Sequence, residues 1–191
     1  MKILKGLYKG VEIISPDVQA VRPTVDHFKK HILRIYEESP RGIVWDLFSG
    51  AGGVGLELVS AGARAAVFVE QMNKPISCLK LNLSQMQLKD PQTFSGHDIK
   101  VIQGTVELFL KNPKNFGVTE VPHFVFLDPP YGQNWMAKVI PLLLRCPVCG
   151  PQTLFVAEHV ADDTLPSTLK IHKQEVYGPK IISCFRFVDQ G

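Results

Sequence analysis

From residue 43 onward, short apolar runs alternate with longer stretches whose apolar residues recur at helical spacing. The runs predict strands near residues 43–47, 65–70, 99–103, 123–128 and 153–158. The stretches between them predict helices near 53–61, 73–86, 105–111 and 133–145. Strict strand–helix alternation implies a mostly parallel sheet with helices on both faces. Residues 170–177 and 180–188 flank Gly178-Pro179 and read as a closing antiparallel hairpin. The polar, Pro- and Gly-containing stretches 89–98 and 112–121 read as loops.

Before residue 43 the pattern differs. Ile3-Leu4 and Val11-Glu12-Ile13-Ile14 surround a Gly-containing turn and suggest a short strand or hairpin. Pro23 and Thr24 then open an amphipathic helix running to about Tyr36. Phe28, Ile32 and Ile35 lie on one face of it, as core positions do. The expected division is an N-terminal hairpin and helix over residues 1–41 and a main domain over 42–191.

Two of the predicted strand ends carry chemistry. Phe124-Val125-Phe126-Leu127 runs into Asp128-Pro129-Pro130-Tyr131. Two prolines in succession force the chain out of the sheet in a stiff, extended turn. A carboxylate, a backbone carbonyl and an aromatic ring are thereby presented together at the C-terminal end of a strand, where open α/β sheets bind ligands. Such a group can hold a planar amino group by two acceptors while a ring stacks on the attached base. Read alone, it is equally a Pro-rich turn.

The second is Val44-Trp45-Asp46-Leu47-Phe48-Ser49-Gly50-Ala51-Gly52-Gly53-Val54-Gly55, an apolar strand followed by a glycine-rich turn and a helix. Gly50, Gly52 and Gly55 fit G-x-G-x-x-G, and Glu70 ends the next apolar run twenty residues after Gly50. An acid at that position reaches ribose hydroxyls; it is otherwise an ordinary strand-end carboxylate. Asp46 sits just before the turn. Its charge disfavours a bound pyrophosphate and favours a cationic or zwitterionic ligand. S-adenosylmethionine, with a sulfonium, an amino group and ribose hydroxyls, suits that arrangement. The alternative reading of Asp46 is a cap for the turn's N–H groups.

Together these features resemble the class I S-adenosylmethionine-dependent methyltransferases with an Asp-Pro-Pro-Tyr motif. Arg22-Pro23-Thr24-Val25-Asp26 before the first helix, Asp46 to Gly52, and Leu127 to Tyr131 are similar to the bacterial 16S rRNA guanine-N2 methyltransferases of the RsmD type. Gly6-Leu7-Tyr8-Lys9-Gly10 and Phe155-Val156-Ala157-Glu158 extend the similarity over most of the chain. The resemblance implies a Rossmann-like α/β fold with a seven-stranded sheet, and methyl transfer from S-adenosylmethionine to a base amino group in rRNA. It implies catalytic roles for Asp128, Pro129, Pro130 and Tyr131. It implies cofactor contacts from Asp46, Phe48, Gly50, Gly52, Gly55, Glu70, Gln71 and Thr105, and RNA contacts from Arg22, Thr24, Lys30 and Arg34. Two departures stand out. Thr105 occupies the place where such enzymes usually carry an Asp or Asn against the adenine. Tyr8-Lys9-Gly10-Val11 lacks the Arg often found after that Gly.

Charge sharpens the substrate expectation. The net charge of +3 lies wholly in residues 1–41, with eight basic against five acidic residues; the rest of the chain balances. Concentrated basic residues suit phosphate contact, and equally a solvated helix face. The 45% hydrophobic content suits one globular domain with a substantial core. No apolar run approaches a membrane span and no signal-peptide pattern is evident, so a cytoplasmic monomer is expected. Cys146-Pro147-Val148-Cys149 resembles half a zinc knuckle without recognisable partners. Reduced cysteines and no metal are therefore expected. The competing functional classes are a nucleotide-linked oxidoreductase and a catalytically silent RNA-binding assembly factor. The first leaves Asp128 to Tyr131 without a role.

Overall fold

A computed structural model describes residues 1–16, 23–38, 42–130, 134–163, 165–166 and 169–186, the side chains of positions 23–26 excepted. Tyr131, Arg22 and the Thr24 side chain fall outside the described set, so their expected roles have no geometry below. The elements are α1 (Pro23–Glu37), β1 (Ile43–Leu47), α2 (Gly55–Ser60), β2 (Ala65–Glu70), α3 (Asn73–Lys89), α4 (Pro91–Ser95), β3 (Asp98–Gln103) and α5 (Val106–Lys111). They continue with β4 (Phe124–Leu127), α6 (Trp135–Leu144), β5 (Leu154–Val160), β6 (Lys170–Tyr177) and β7 (Lys180–Arg186).

The sheet has seven strands in the order β3-β2-β1-β4-β5-β7-β6. β1 pairs in parallel with both β2 and β4, and β7 runs antiparallel to β5 and β6. The chain winds outward from β1 through β2 to β3, then crosses back to β4 and winds the other way. The strand order therefore reverses between β1 and β4, and a crevice opens at their C-terminal ends. Asp46 and Asp128 lie on the two sides of it.

Strand alternation builds two cores. Val44, Phe124 and Phe126 face one layer with Ile32, Tyr36 and Leu56 from the helices. Trp45, Val125 and Leu127 face the other with Phe109, Ile140 and Phe155. Each such side chain contributes roughly 1.5–3 kcal/mol by leaving water.

The N-terminal segment shares the first core through Ile3, Tyr8, Val11 and Ile13. Its hairpin is minimal, a bridge between Lys2 and Glu12 with Ile3 N–H donating to Val11 O at 2.9 Å. Its backbone is sewn onto α2. Leu7 N–H donates to Ser60 O at 2.8 Å, and Leu4 N–H donates to the Glu57 carboxylate at 3.0 Å.

The two stretches expected as loops each contain a helical turn. Asp90 caps α4 by accepting the Thr93 N–H at 3.0 Å, with Pro91 at the first helical position. Pro113 likewise opens a 3-10 turn over Pro113–Phe116. A proline that breaks a strand pattern is equally able to start a helix, since its missing N–H is one that a first turn leaves unpaired. No helix among the described residues is long and apolar enough to cross a membrane.

Candidate active site at the switch point of the sheet

The turn after β1 has three positive φ angles: Phe48 at 62°, Gly50 at 55° and Gly52 at 84°. Phe48 is the informative one, because a non-glycine residue held there costs about 1–3 kcal/mol. The strain turns its ring towards Trp135, with centroids 5.3 Å apart in an edge arrangement. The glycines divide the work. A Cβ on Gly50 would meet nothing within 4 Å, whereas one on Gly52 would lie 2.5 Å from Leu79 Cδ1. One on Gly55 would lie 2.4 Å from Phe68 and 2.7 Å from Asp46 Oδ2. Gly50 thus faces open space, Gly52 serves packing and turn geometry, and Gly55 allows α2 to approach the sheet closely.

Acids ring this turn. Asp46 is buried and accepts the Gly55 N–H at 2.8 Å. The capping reading is therefore what the hydrogen bonds show, although the residue also lines the crevice. Burial, with further contributions from the Asp128 and Glu70 charges, pushes the Asp46 carboxyl up to about 7 against the Gly55 hydrogen bond. Glu70 accepts N–H groups from Gly50 at 2.9 Å and from Gln71 and Met72 at 2.8 Å. A carboxylate offers about four lone-pair sites, so one remains for a hydroxyl. Thr105 caps α5 by accepting the Leu108 N–H at 3.2 Å, yet also borders the crevice beside Gln71.

Asp128 follows β4 directly and is half-buried, with Pro129 buried behind it and Pro130 exposed. The parallel register Leu127 with Ala157 places Glu158, at the same level of β5, beside it. Glu158 is buried and accepts a hydrogen bond from Lys180 Nζ of β7. Burial first, then the Glu158 charge, raises the Asp128 carboxyl above its ordinary range, while Lys180 lowers it.

Two cavities meet here, sharing Phe48, Asp128 and Lys180. One, of about 580 Å³, is bounded by Glu70, Gln71, Gly104, Thr105, Glu107 and Trp135. The other, of about 440 Å³, is bounded by His27, Phe28, Asp46, Ser49, Phe126, Glu158 and Tyr177. Ser49 Oγ, Trp135 Nε1 and Glu107 Oε2 are buried without hydrogen-bond partners among the described residues, and their residues line these cavities. Buried polar groups are normally satisfied, so unpartnered ones in a cleft suit a polar ligand. Lys180 is the sole basic residue among the described ones lining the larger cavity. That donor set fits a sulfonium nucleoside with free ribose hydroxyls and opposes a pyrophosphate.

Ser49, Glu107, Trp135 and Lys180 were not singled out from the sequence as site residues. Ser49 lay inside the glycine motif, and Glu158 appeared only as part of a similar segment. Trp135 and Lys180 had no local signal; their places follow from α6 and β7 packing across the sheet's end.

The basic N-terminal region is more neutral than its composition suggests. Lys29 is buried and paired with Glu57 at 2.7 Å, both side chains 1% exposed. Lys29 thus belongs to the interior and leaves the expected basic cluster. Lys5 pairs with Glu37 at 2.6 Å. Arg34 is 56% exposed and reaches Glu175 at 3.1 Å. Lys30 is exposed.

The reversal of strand order, the glycine turn and the acid-lined double cavity define a class I methyltransferase fold. The profile of the family described as Conserved hypothetical protein 95 matches residues 1–186, and the chain belongs to that family, which is the RsmD-type rRNA methyltransferase group. Ribosomal RNA small subunit methyltransferase D of Haemophilus influenzae is 28% identical over 183 residues, covering 93% of this chain and 89% of that one. The protein of the same name from Escherichia coli K12 is 24% identical, covering 100% and 92%. Among solved structures, Escherichia coli yhhF superposes with a TM-score of 0.78 at 23% identity, covering 100% of this chain and 99% of that one. The rRNA methyltransferase AviRa of Streptomyces viridochromogenes superposes with a TM-score of 0.68 at 14% identity, covering 93% and 90%. Both superpositions speak to the fold.

Proposed function

We propose that this protein methylates an exocyclic amino group of a base in rRNA, using S-adenosylmethionine, and that the amino group is guanine N2 of 16S rRNA. The carrying observation is Asp128 at the junction of two cavities, with Phe48 and Lys180. Such a carboxylate can reach a base in the smaller cavity while facing the nucleoside in the larger.

S-adenosylmethionine, when bound, supplies an electrophilic methyl group on sulfur. The remaining chemistry belongs to the chain. An exocyclic amine is a poor nucleophile because its lone pair is delocalised into the ring. Asp128 and the Pro129 carbonyl accept its two N–H bonds and thereby help localise the pair on nitrogen. As nitrogen gains the methyl group it loses one proton, which the ionised Asp128 can accept. Holding donor and acceptor in line supplies on the order of 7–11 kcal/mol of the barrier reduction. Aromatic stacking on the base adds about 1–3 kcal/mol. The target base leaves its stack to enter.

Glu70 and the free edge of the Gly50 turn suit the ribose, and Thr105, Gln71 and Trp135 suit the adenine. Arg22, Thr24, Lys30 and Arg34 are assigned to the RNA, and rRNA contact by the 1–41 segment is part of the same reading. Modified-base mapping of rRNA from cells with and without this protein tests it. The expected result is a single N2-methylguanosine that disappears with the protein. Presenting purified protein with naked 16S rRNA and with small-subunit particles then identifies the working substrate. Loss of no modification would overturn the proposal.

A further inference from the structure

The smaller cavity has chemistry that the transfer reaction does not require. Its walls are aromatic, with Phe28 and Phe126 rings 6.0 Å apart and His27 and Tyr177 rings 5.7 Å apart. Of its charged lining residues, Asp46 is engaged by the Gly55 N–H and Lys29 by Glu57, which leaves the Asp128 and Glu158 carboxylates and the Lys180 ammonium as the set facing one another. Asp128, just past β4, and Glu158, within β5, sit level with each other on adjacent parallel strands, which lie about 4.8 Å apart. Lys180 Nζ contacts Glu158 and lies 5.8 Å above the Phe28 ring. Glu158 is buried, and it lines the cavity together with Asp128 and Lys180.

One carboxylate suffices to hold an amino group. A second carboxylate beside it asks for a second N–H on the same edge, and an ammonium asks for an acceptor beyond. Three bases carry an exocyclic amine. In adenine and cytosine the ring nitrogen next to the amine is an acceptor, whose lone pair would face a buried carboxylate. In guanine that ring nitrogen carries a proton, and the next group along the edge is the O6 acceptor. Only guanine therefore presents donor, donor, acceptor in an order that can face Asp128, Glu158 and Lys180. An ammonium has three N–H donors, so Lys180 can hold Glu158 and O6 together.

We infer that Glu158 and Lys180 form the base-reading pair of this site, with Glu158 accepting guanine N1–H and Lys180 donating to O6. The inference rests on the methyltransferase reading above and supplies a reason, within this chain, for guanine over the other amino-bearing bases. Glu158 and Lys180 are specificity residues here, and Asp128 remains the group at the reacting nitrogen.

The test uses an RNA stem-loop carrying the nucleotide that the full-length protein methylates, made with guanine or with 2-aminopurine at that position. 2-Aminopurine keeps the amine but has an unprotonated N1 and no O6. Wild type should methylate the guanine RNA at least about a hundredfold more efficiently in kcat/KM, since sites built around hydrogen bonds reject analogues lacking them. Glu158→Gln can turn an amide N–H towards N1, and should shrink that ratio tenfold or more. Lys180→Met keeps the apolar stem and should shrink it through the lost O6 contact. Thermal unfolding and S-adenosylmethionine titration establish that each variant is folded and loaded. An unchanged ratio in a folded, loaded variant of either residue would overturn its assignment. Wild-type transfer to an adenine or cytosine amine would overturn the base reading while leaving the methyltransferase reading intact. No transfer to any base in RNA would overturn both.

Discussion

Asp46 Oδ2 accepts the Gly55 N–H at 2.8 Å inside a buried site that Glu70 and Asp128 also charge. The same carboxylate thus holds the start of α2 and accumulates negative potential beside the glycine turn. Its pKa is raised from 3.8 to about 7. Between those values the folded state binds the extra proton, so stability falls as pH rises through that window. Asp46→Asn keeps an acceptor for Gly55 and removes the titration. We predict that its melting temperature gains on wild type as pH goes from 5 to 8, by about 2–4 °C per kcal/mol relieved. S-adenosylmethionine affinity should fall. Calorimetric melts across pH check this; parallel wild-type and variant curves would contradict it.

Asp128→Ala should abolish methyl transfer while keeping cofactor affinity within roughly tenfold, about 1.4 kcal/mol. The ionised carboxylate is the working form, and burial and Glu158 raise its pKa. The wild-type rate should therefore climb with pH through a midpoint above the ordinary carboxylate range. Single-turnover transfer measured against pH tests both statements. Near-normal turnover by the variant removes Asp128 from the mechanism.

The two glycines of the turn should separate. A side chain added at Gly52 runs into Leu79. We predict that Gly52→Val destabilises the fold by about 1–3 kcal/mol, as overpacking does. Gly50→Val, facing open space, should weaken S-adenosylmethionine binding more than its strained φ lowers stability. Denaturant titration beside isothermal titration distinguishes them; identical profiles would be wrong for this account.

Lys29→Met leaves Glu57 charged and buried, and should cost about 3–5 kcal/mol of stability. Adding Glu57→Gln removes the stranded charge and keeps an acceptor for Leu4 N–H, so the double variant should recover much of that loss. Urea unfolding of the two proteins is the check. Equal stabilities would mean that the ion pair does not hold the N-terminal segment to α2.

Lys30→Glu should weaken rRNA binding and lower the salt slope by about one, as loss of one phosphate contact does. Arg34→Glu should act less strongly, because Glu175 already occupies that guanidinium. Binding measured from 50 to 200 mM salt decides it. An unchanged slope for Lys30→Glu would mark α1's outer face as solvated surface.

Most of the architecture was legible along the chain. The runs at 43–47 and 65–70 became β1 and β2 with those bounds, because strands buried on both faces are apolar throughout. The Gly50-to-Gly55 turn and Asp128 were legible too, since backbone chemistry and proline stiffness are local. What tertiary structure alone decided is which side chains meet. Lys29 counted as a basic residue until α2 brought Glu57 within 2.7 Å. Gly52 looked like ligand space until Leu79 of α3 packed against it. Glu158 and Lys180 are twenty-two residues apart and come together only because β7 returns antiparallel beside β5. Sequence patterns report which groups must be buried. The partner of each buried charge is set by strand order and register, which lie in no local stretch of sequence.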